Sequence, residues 1–261
     1  METEKKYRLT DEYITIDNKK LYRIEALKDF SDVKKGEKGG FVESEDNLSQ
    51  NGNCWAYMNA RVYANARVFG DAQVYGNASI SGKAMVYGNA EVYNNANIYE
   101  NAKVGGNARI GGGAYVYGSA KVYGAAMIAD KAKVYGSALI YGNAAIYGDA
   151  VICINARVYG EAEIKGNATI SNCSDYIVFK NWWSSGRYFT WTRSNNMWKV
   201  GCVYGTGEEL IAKAYKDSEL SGREYKKAVK YVKSILKDGN TTTIVNKIKQ
   251  CLTKFLEKFK L

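Results

Sequence analysis

The apolar positions of this chain recur every six residues through its middle. Alanine fills each sixth position from Ala60 to Ala168, nineteen in succession, and Val or Ile stands two residues after each, from Val62 to Ile170. Residues two apart share one face of a short strand, so Ala and Val lie on one side and the intervening residue and the following Tyr on the other. The Gly that follows the strand in most units, often with Asn or Asp after it, reads as a corner, because these residues tolerate positive φ. Strand and corner repeated every six residues cannot be a helix. The chain is predicted to wind as a solenoid of roughly six coils, with Ala and Val inside and no loop insertions from Ala60 to Ile170. Small Ala beside Val leaves a narrow interior, so backbone ladders, end caps and subunit contacts must help hold the coil.

The flanks follow other patterns. Tyr13–Ile16 and Leu21–Ile24 alternate as two strands around the turn at Asp17–Lys20, and this hairpin is expected to plug the open end of the coil. After Ile170 the hexads stop, and three strands of a meander are predicted over Tyr176–Trp183, Arg187–Arg193 and Trp198–Tyr204. Thr206 with Glu209 forms a capping box that opens a helix through Lys216. Two more helices are predicted over Arg223–Leu236 and Thr243–Leu261. The last carries Val245, Ile248, Leu252, Phe255 and Phe259 at steps of three and four, a stripe suited to packing on a neighbour. The organisation is therefore a hairpin cap over residues 1–53, a solenoid over 54–172, an aromatic-rich meander over 173–205 and basic helices over 206–261.

The units from Val62 to Arg67 and their successors resemble the hexapeptide repeat of the trimeric left-handed β-helix superfamily, whose members include acyl-, acetyl- and succinyltransferases and a class of carbonic anhydrases. The resemblance spans residues 60–170. It implies a left-handed parallel β-helix, mainly β in class with the meander and helices appended, three hexads per coil, and a homo-oligomer, a trimer by preference. The chain departs from the superfamily at the position after Val, where small or acidic residues are usual and this sequence has Tyr at, among others, Tyr63, Tyr75, Tyr117 and Tyr135. The segments Leu21–Phe30, Gly39–Glu45 and Asn47–Trp55 resemble the opening of uncharacterised hexapeptide-repeat proteins of phages and prophages, which implies a mobile-element protein.

Composition removes many chemistries. The chain has no histidine, which excludes Ser-His and Cys-His pairs, an imidazole base and zinc sites with histidine ligands. The superfamily's acyltransferases commonly use a histidine base, and its carbonic anhydrases bind zinc through three. Glu91 and Glu163 form no facing pair for acid–base work. No cofactor or metal is expected. Five cysteines, an odd number without a C-x-x-C pair, read as free thiols of a reducing compartment. The charged start lacks a signal peptide, and no apolar run spans a membrane, so a cytoplasmic protein, in the host cytoplasm if phage-encoded, is expected. Net charge is +10, and residues 174–261 hold most of it, which points to anionic partners.

With three hexads per coil, residues eighteen apart stack. One face then carries Arg67, Met85, Lys103, Lys121, Leu139 and Arg157, flanked by Phe69, Tyr87, Gly105, Tyr123, Tyr141 and Tyr159, with no carboxylate among them. Such a strip suits nucleotides or single strands, bases on Tyr and phosphates on Lys and Arg. The same pattern serves ladder packing or a subunit surface. In the meander, Trp191 and Trp198 accompany Arg187 and Arg193, either as a second basic aromatic surface or as an apolar cap with cations at its edge. The expected function is that of a non-enzymatic binding scaffold for nucleic acid, a signalling nucleotide or a host protein, with interference in bacterial defence as a role drawn from the phage resemblance. A coenzyme-A-dependent acyltransferase without a histidine base and a polymer-forming structural protein are the alternatives.

Overall fold

The computed structural model describes residues 4–238; the helix expected over Thr243–Leu261 lies outside them. β1 (Tyr7–Ile16) and β2 (Lys19–Ala26) form an antiparallel hairpin. Its turn residues Asp17 and Asn18 have φ of 49° and 61°, as a two-residue hairpin loop requires. The strands extend beyond the alternating segments because pairing resumes across a register shift between Leu9 and Tyr13. β3 (Lys38–Val42) adds antiparallel to β2 and parallel to the solenoid wall, with Val42 opposite Val62. The hairpin is thereby built into the coil that it caps.

β4 (Trp55–Ala56) to β23 (Thr169–Ile170) are two-residue rungs at six-residue steps. Each pairs in parallel with the rungs eighteen residues away, as Lys103 does with Met85 and Lys121. The rungs form three faces: six from β6 (Arg67–Val68) to β21 (Arg157–Val158), seven from β5 (Arg61–Val62) to β23, and seven from β4 to β22 (Glu163–Ile164). The solenoid thus has about seven turns, more than the roughly six expected, because winding begins at Trp55, ahead of the regular alanine column. From Ala60 to Ile170 the register holds without insertion.

The interior is the Ala and Val/Ile columns, every member at most 1% exposed. At each corner one residue takes positive φ, usually Gly. At Gly124, φ 69°, a Cβ would also lie 2.8 Å from the backbone N and O of Gly142 one coil on. The ladder has a direction: the N–H of each outward residue donates to an Ala carbonyl of the next coil, as Lys103 to Ala120 and Lys121 to Ala138, both at 2.9 Å. The first coil therefore leaves carbonyls over and the last leaves N–H groups, and both ends need partners. At the first end the buried Lys6 ammonium donates to the Gly52 and Cys54 carbonyls, and Asn47 Nδ2 to those of Ala64 and Ala66. At the last, Thr190 Oγ1 accepts from the Glu163 N–H and Ser194 Oγ from the Thr169 N–H.

The C-terminal sheet has four antiparallel strands, not three: β24 (Tyr176–Lys180), β25 (Tyr188–Thr192), β26 (Met197–Val200) and β27 (Val203–Gly205). The segment predicted as one strand over Trp198–Tyr204 folds back on itself at Gly201, φ 52°. α1 (Gly207–Asp217) starts at the Thr206–Glu209 capping box. α2 (Glu219–Asp238) begins four residues before Arg223. The two helices cover one side of the sheet, where Phe189, Trp191, Trp198, Leu210, Tyr225 and Val229 form a second core. Among the described cysteines, Cys54, Cys173 and Cys202 are free thiols. Cys153 is disulfide-bonded, which corrects the expectation of five free thiols and removes that argument for a reducing compartment.

Candidate ligand-binding face

The eighteen-residue stacking places the predicted residues as the hexad count requires. Arg67, Met85, Lys103, Lys121, Leu139 and Arg157 stand in one outward row on the six-rung face, each opposite its neighbour. Arg67, Lys121 and Arg157 are exposed and Lys103 half-buried. None of the four has a side-chain hydrogen bond or ion pair among the described residues. The third face differs: Arg109 Nε meets Glu91 at 3.0 Å, and Lys199 of β26 meets Glu163 at 2.8 Å. Of the corner carboxylates beside the cationic face, Asp71 is engaged by Asn53 and Glu161 by Asn143. Arg67 lines a cleft with Ser44, Asp46 and Asn65 but forms no ion pair there.

Beside this row runs the aromatic column. Phe69 and Tyr87 stack at 5.2 Å with rings 5° from parallel, and Tyr141 and Tyr159 at 5.1 Å and 11°. Between the pairs Gly105 leaves a gap, into which the Tyr87 ring leans; a Cβ at 105 would lie 2.6 Å from it. Tyr87 thereby reaches Tyr123, ring centroids 6.5 Å apart. Burial, with the Tyr87 hydroxyl, raises the Tyr123 phenol to about 12, so this ring stays a neutral donor. Only Tyr141 and Tyr159 are exposed, at 36% and 47%.

The residues predicted in the meander divide. Trp191 and Trp198 are enclosed, at 0% and 2% exposure, within the core beneath α1 and α2. Their rings pack as an apolar cap and are not a stacking surface. Arg187 is exposed and Arg193 half-buried, its guanidinium 6.0 Å from the Trp191 ring. The most exposed ring of this region is Trp182, at 73%. Tyr176, the first residue of β24, covers the end of the six-rung face: its hydroxyl donates to the Arg157 carbonyl at 3.2 Å. Its signal was arithmetic, since it stands eighteen residues after the inward Val158.

A second cleft, about 590 Å³, opens where solenoid and sheet meet, lined by Asp149, Asn167, Thr169, Ser194, Asn195 and Tyr204. Its polar groups largely bond one another: Asn195 Nδ2 donates to Asn167 and to the Tyr204 hydroxyl, which itself donates to the Lys165 carbonyl. Among the described residues no group of three or more acidic or cysteine side chains is placed to hold a metal, and no helix is long and apolar enough to cross a membrane.

Twenty parallel rungs on three faces, capped at both ends, define a β-solenoid protein. In agreement, the YdcK β-solenoid repeat model matches residues 60–76 and 72–88. The two matched segments start twelve residues apart, two hexads. Comparison with curated proteins gives no match.

Proposed function

We propose that this β-solenoid is a non-enzymatic scaffold whose six-rung face binds single-stranded nucleic acid. The observation that carries the reading is the pair Lys103 and Lys121, set in register on adjacent strands with no neutralising partner among the described residues. Like charges directly opposed on a sheet are unfavourable, and phosphates lying along the row relieve that repulsion with release of counterions. From Arg67 to Arg157 the row spans five strand spacings, roughly 24 Å, an extended track. The exposed Tyr141 and Tyr159 rings offer stacking faces to unpaired bases, worth about 1–3 kcal/mol per base; a duplex keeps its bases out of their reach.

A subunit interface through this face lacks a counterpart. The outward rung positions of the other two faces hold Glu91 and Glu163 as their carboxylates, and both are already ion-paired. A homotrimer, the assembly that the resemblance implies, then meets through the other faces. The phage-like flanks supply a setting, a phage-encoded chain that withholds nucleic acid from a bacterial defence system.

The test is fluorescence anisotropy of labelled twelve-residue oligothymidine. The double variant Lys103→Gln/Lys121→Gln is expected to bind about tenfold or more weakly, a duplex of equal length more weakly than the single strand, and Lys226→Gln/Lys230→Gln on α2 as the wild type does. Unchanged binding by the face variant, or loss confined to the α2 variant, refutes the proposal.

A further inference from the structure

The six-rung face ends at β21, which has a rung neighbour on one side alone. We infer that Tyr159 and Arg157 of this rung form an end site for one terminal nucleobase and its phosphate, an inference that rests on the reading of the face given above. Tyr159 is the most exposed ring of its column and stacks on one side, against Tyr141. At the corner that follows, the surface is open: a Cβ built at Gly160 would meet no atom within 4 Å. Arg157 lies two residues earlier, on the same outward side of the strand, exposed and without an ion pair among the described residues.

The backbone edge that this rung would offer to a further coil is closed by Tyr176. Its hydroxyl donates to the Arg157 carbonyl and takes a backbone hydrogen bond from Tyr159. This face of the coil therefore stops here, and the column of rings ends on the outer side of Tyr159. A planar base laid on Tyr159 continues the column at its own repeat, and the guanidinium of Arg157 presents a fork of donors to phosphate. Glu161, on the opposite side of the corner and held by Asn143 at 2.6 Å, repels phosphate from that side. The combination selects an aromatic base whose anion points back along the cationic row, the arrangement of a strand end or a mononucleotide. Buried Asp175, which stands eighteen residues after Arg157, is occupied by the Ser171 and Asn172 donors.

The experiment is calorimetric titration of the full chain with adenosine monophosphate, run beside the oligothymidine assay. Tyr159→Ala and Arg157→Gln are each expected to weaken mononucleotide binding about tenfold, the scale of one base stack or one charged contact. Tyr159→Phe should bind as the wild type does, and Glu161→Gln more tightly. Circular dichroism verifies that these surface variants fold. Mononucleotide binding unchanged in Tyr159→Ala, while Lys103→Gln/Lys121→Gln still loses the oligonucleotide, overturns the end site and leaves the face reading intact. If the wild type binds neither probe, both fall.

Discussion

Replacing Lys121 by Glu should make the protein more stable and a poorer binder at the same time. Lys121 stands opposite Lys103 on the adjacent rung, and neighbouring strands lie about 4.8 Å apart. With the two ammonium groups about 6 Å apart in water, the Coulomb repulsion is about 0.7 kcal/mol, and physiological salt reduces it to roughly half. Glu removes that repulsion and substitutes an attraction of similar size, so the expected gain is about 0.6 kcal/mol, within the range for cross-strand pairs. For a chain of this length that is about 1–3 °C in Tm. Thermal melts of both proteins in dilute buffer and in molar salt measure it: the difference should be largest in dilute buffer and nearly vanish at about 1 M, where the Debye length is about 3 Å. Oligonucleotide affinity should fall in the same variant. A loss of stability, or a gain indifferent to salt, would show that the two ammonium groups do not face one another.

Three further outcomes are expected. Ala114 is fully buried in the narrow interior, so Ala114→Leu should cost about 1–3 kcal/mol by overfilling it, while Tyr115→Leu at the exposed next position should stay within about 0.5 kcal/mol; denaturant titration compares them. Gly124→Ala should destabilise by about 1 kcal/mol or more, since φ is positive there and the added Cβ meets the next coil. Burial raises several phenols, Tyr7 and Tyr99 strongly and Tyr176 to about 12. The folded state keeps these protons while unfolded tyrosine releases its own near pH 10. Stability should therefore be level below about pH 9 and fall as pH rises beyond about 10. The urea midpoint across that range measures this, and tyrosinate absorbance that fully develops below pH 10 in the folded protein would contradict it.

The coil was legible in the sequence because each unit repeats one local solution nineteen times, and the spacing of eighteen then fixes which outward residues meet. Lys103 and Lys121 could be placed side by side once the resemblance to the superfamily supplied three hexads per coil. The ends were less legible because capping is an irregular problem solved by single side chains. Nothing in the alternation around Lys6 marks it as a buried donor to the first coil, and Ser194 and Thr190 carry no signal as acceptors for the last. The meander was legible in part, since its pattern fitted both a binding surface and an apolar cap. Trp191 and Trp198 alternate as an aromatic surface would, but α1 and α2 cover that side and turn it into a core. Gly201 lay within the strand predicted over Trp198–Tyr204 and is the turn to a fourth.

The central claim is that the unpaired cations of the six-rung face carry the binding, and the salt dependence of affinity reports it most directly. For single strands log K falls with log salt by about 0.7 per phosphate contact, so engagement of Arg67, Lys103, Lys121 and Arg157 together predicts a slope near −3 for the wild type. Lys121→Gln should bring the slope to about −2, whereas Lys226→Gln on α2 should leave it alone. A wild-type slope near zero, or one that Lys121→Gln does not change, would contradict the account.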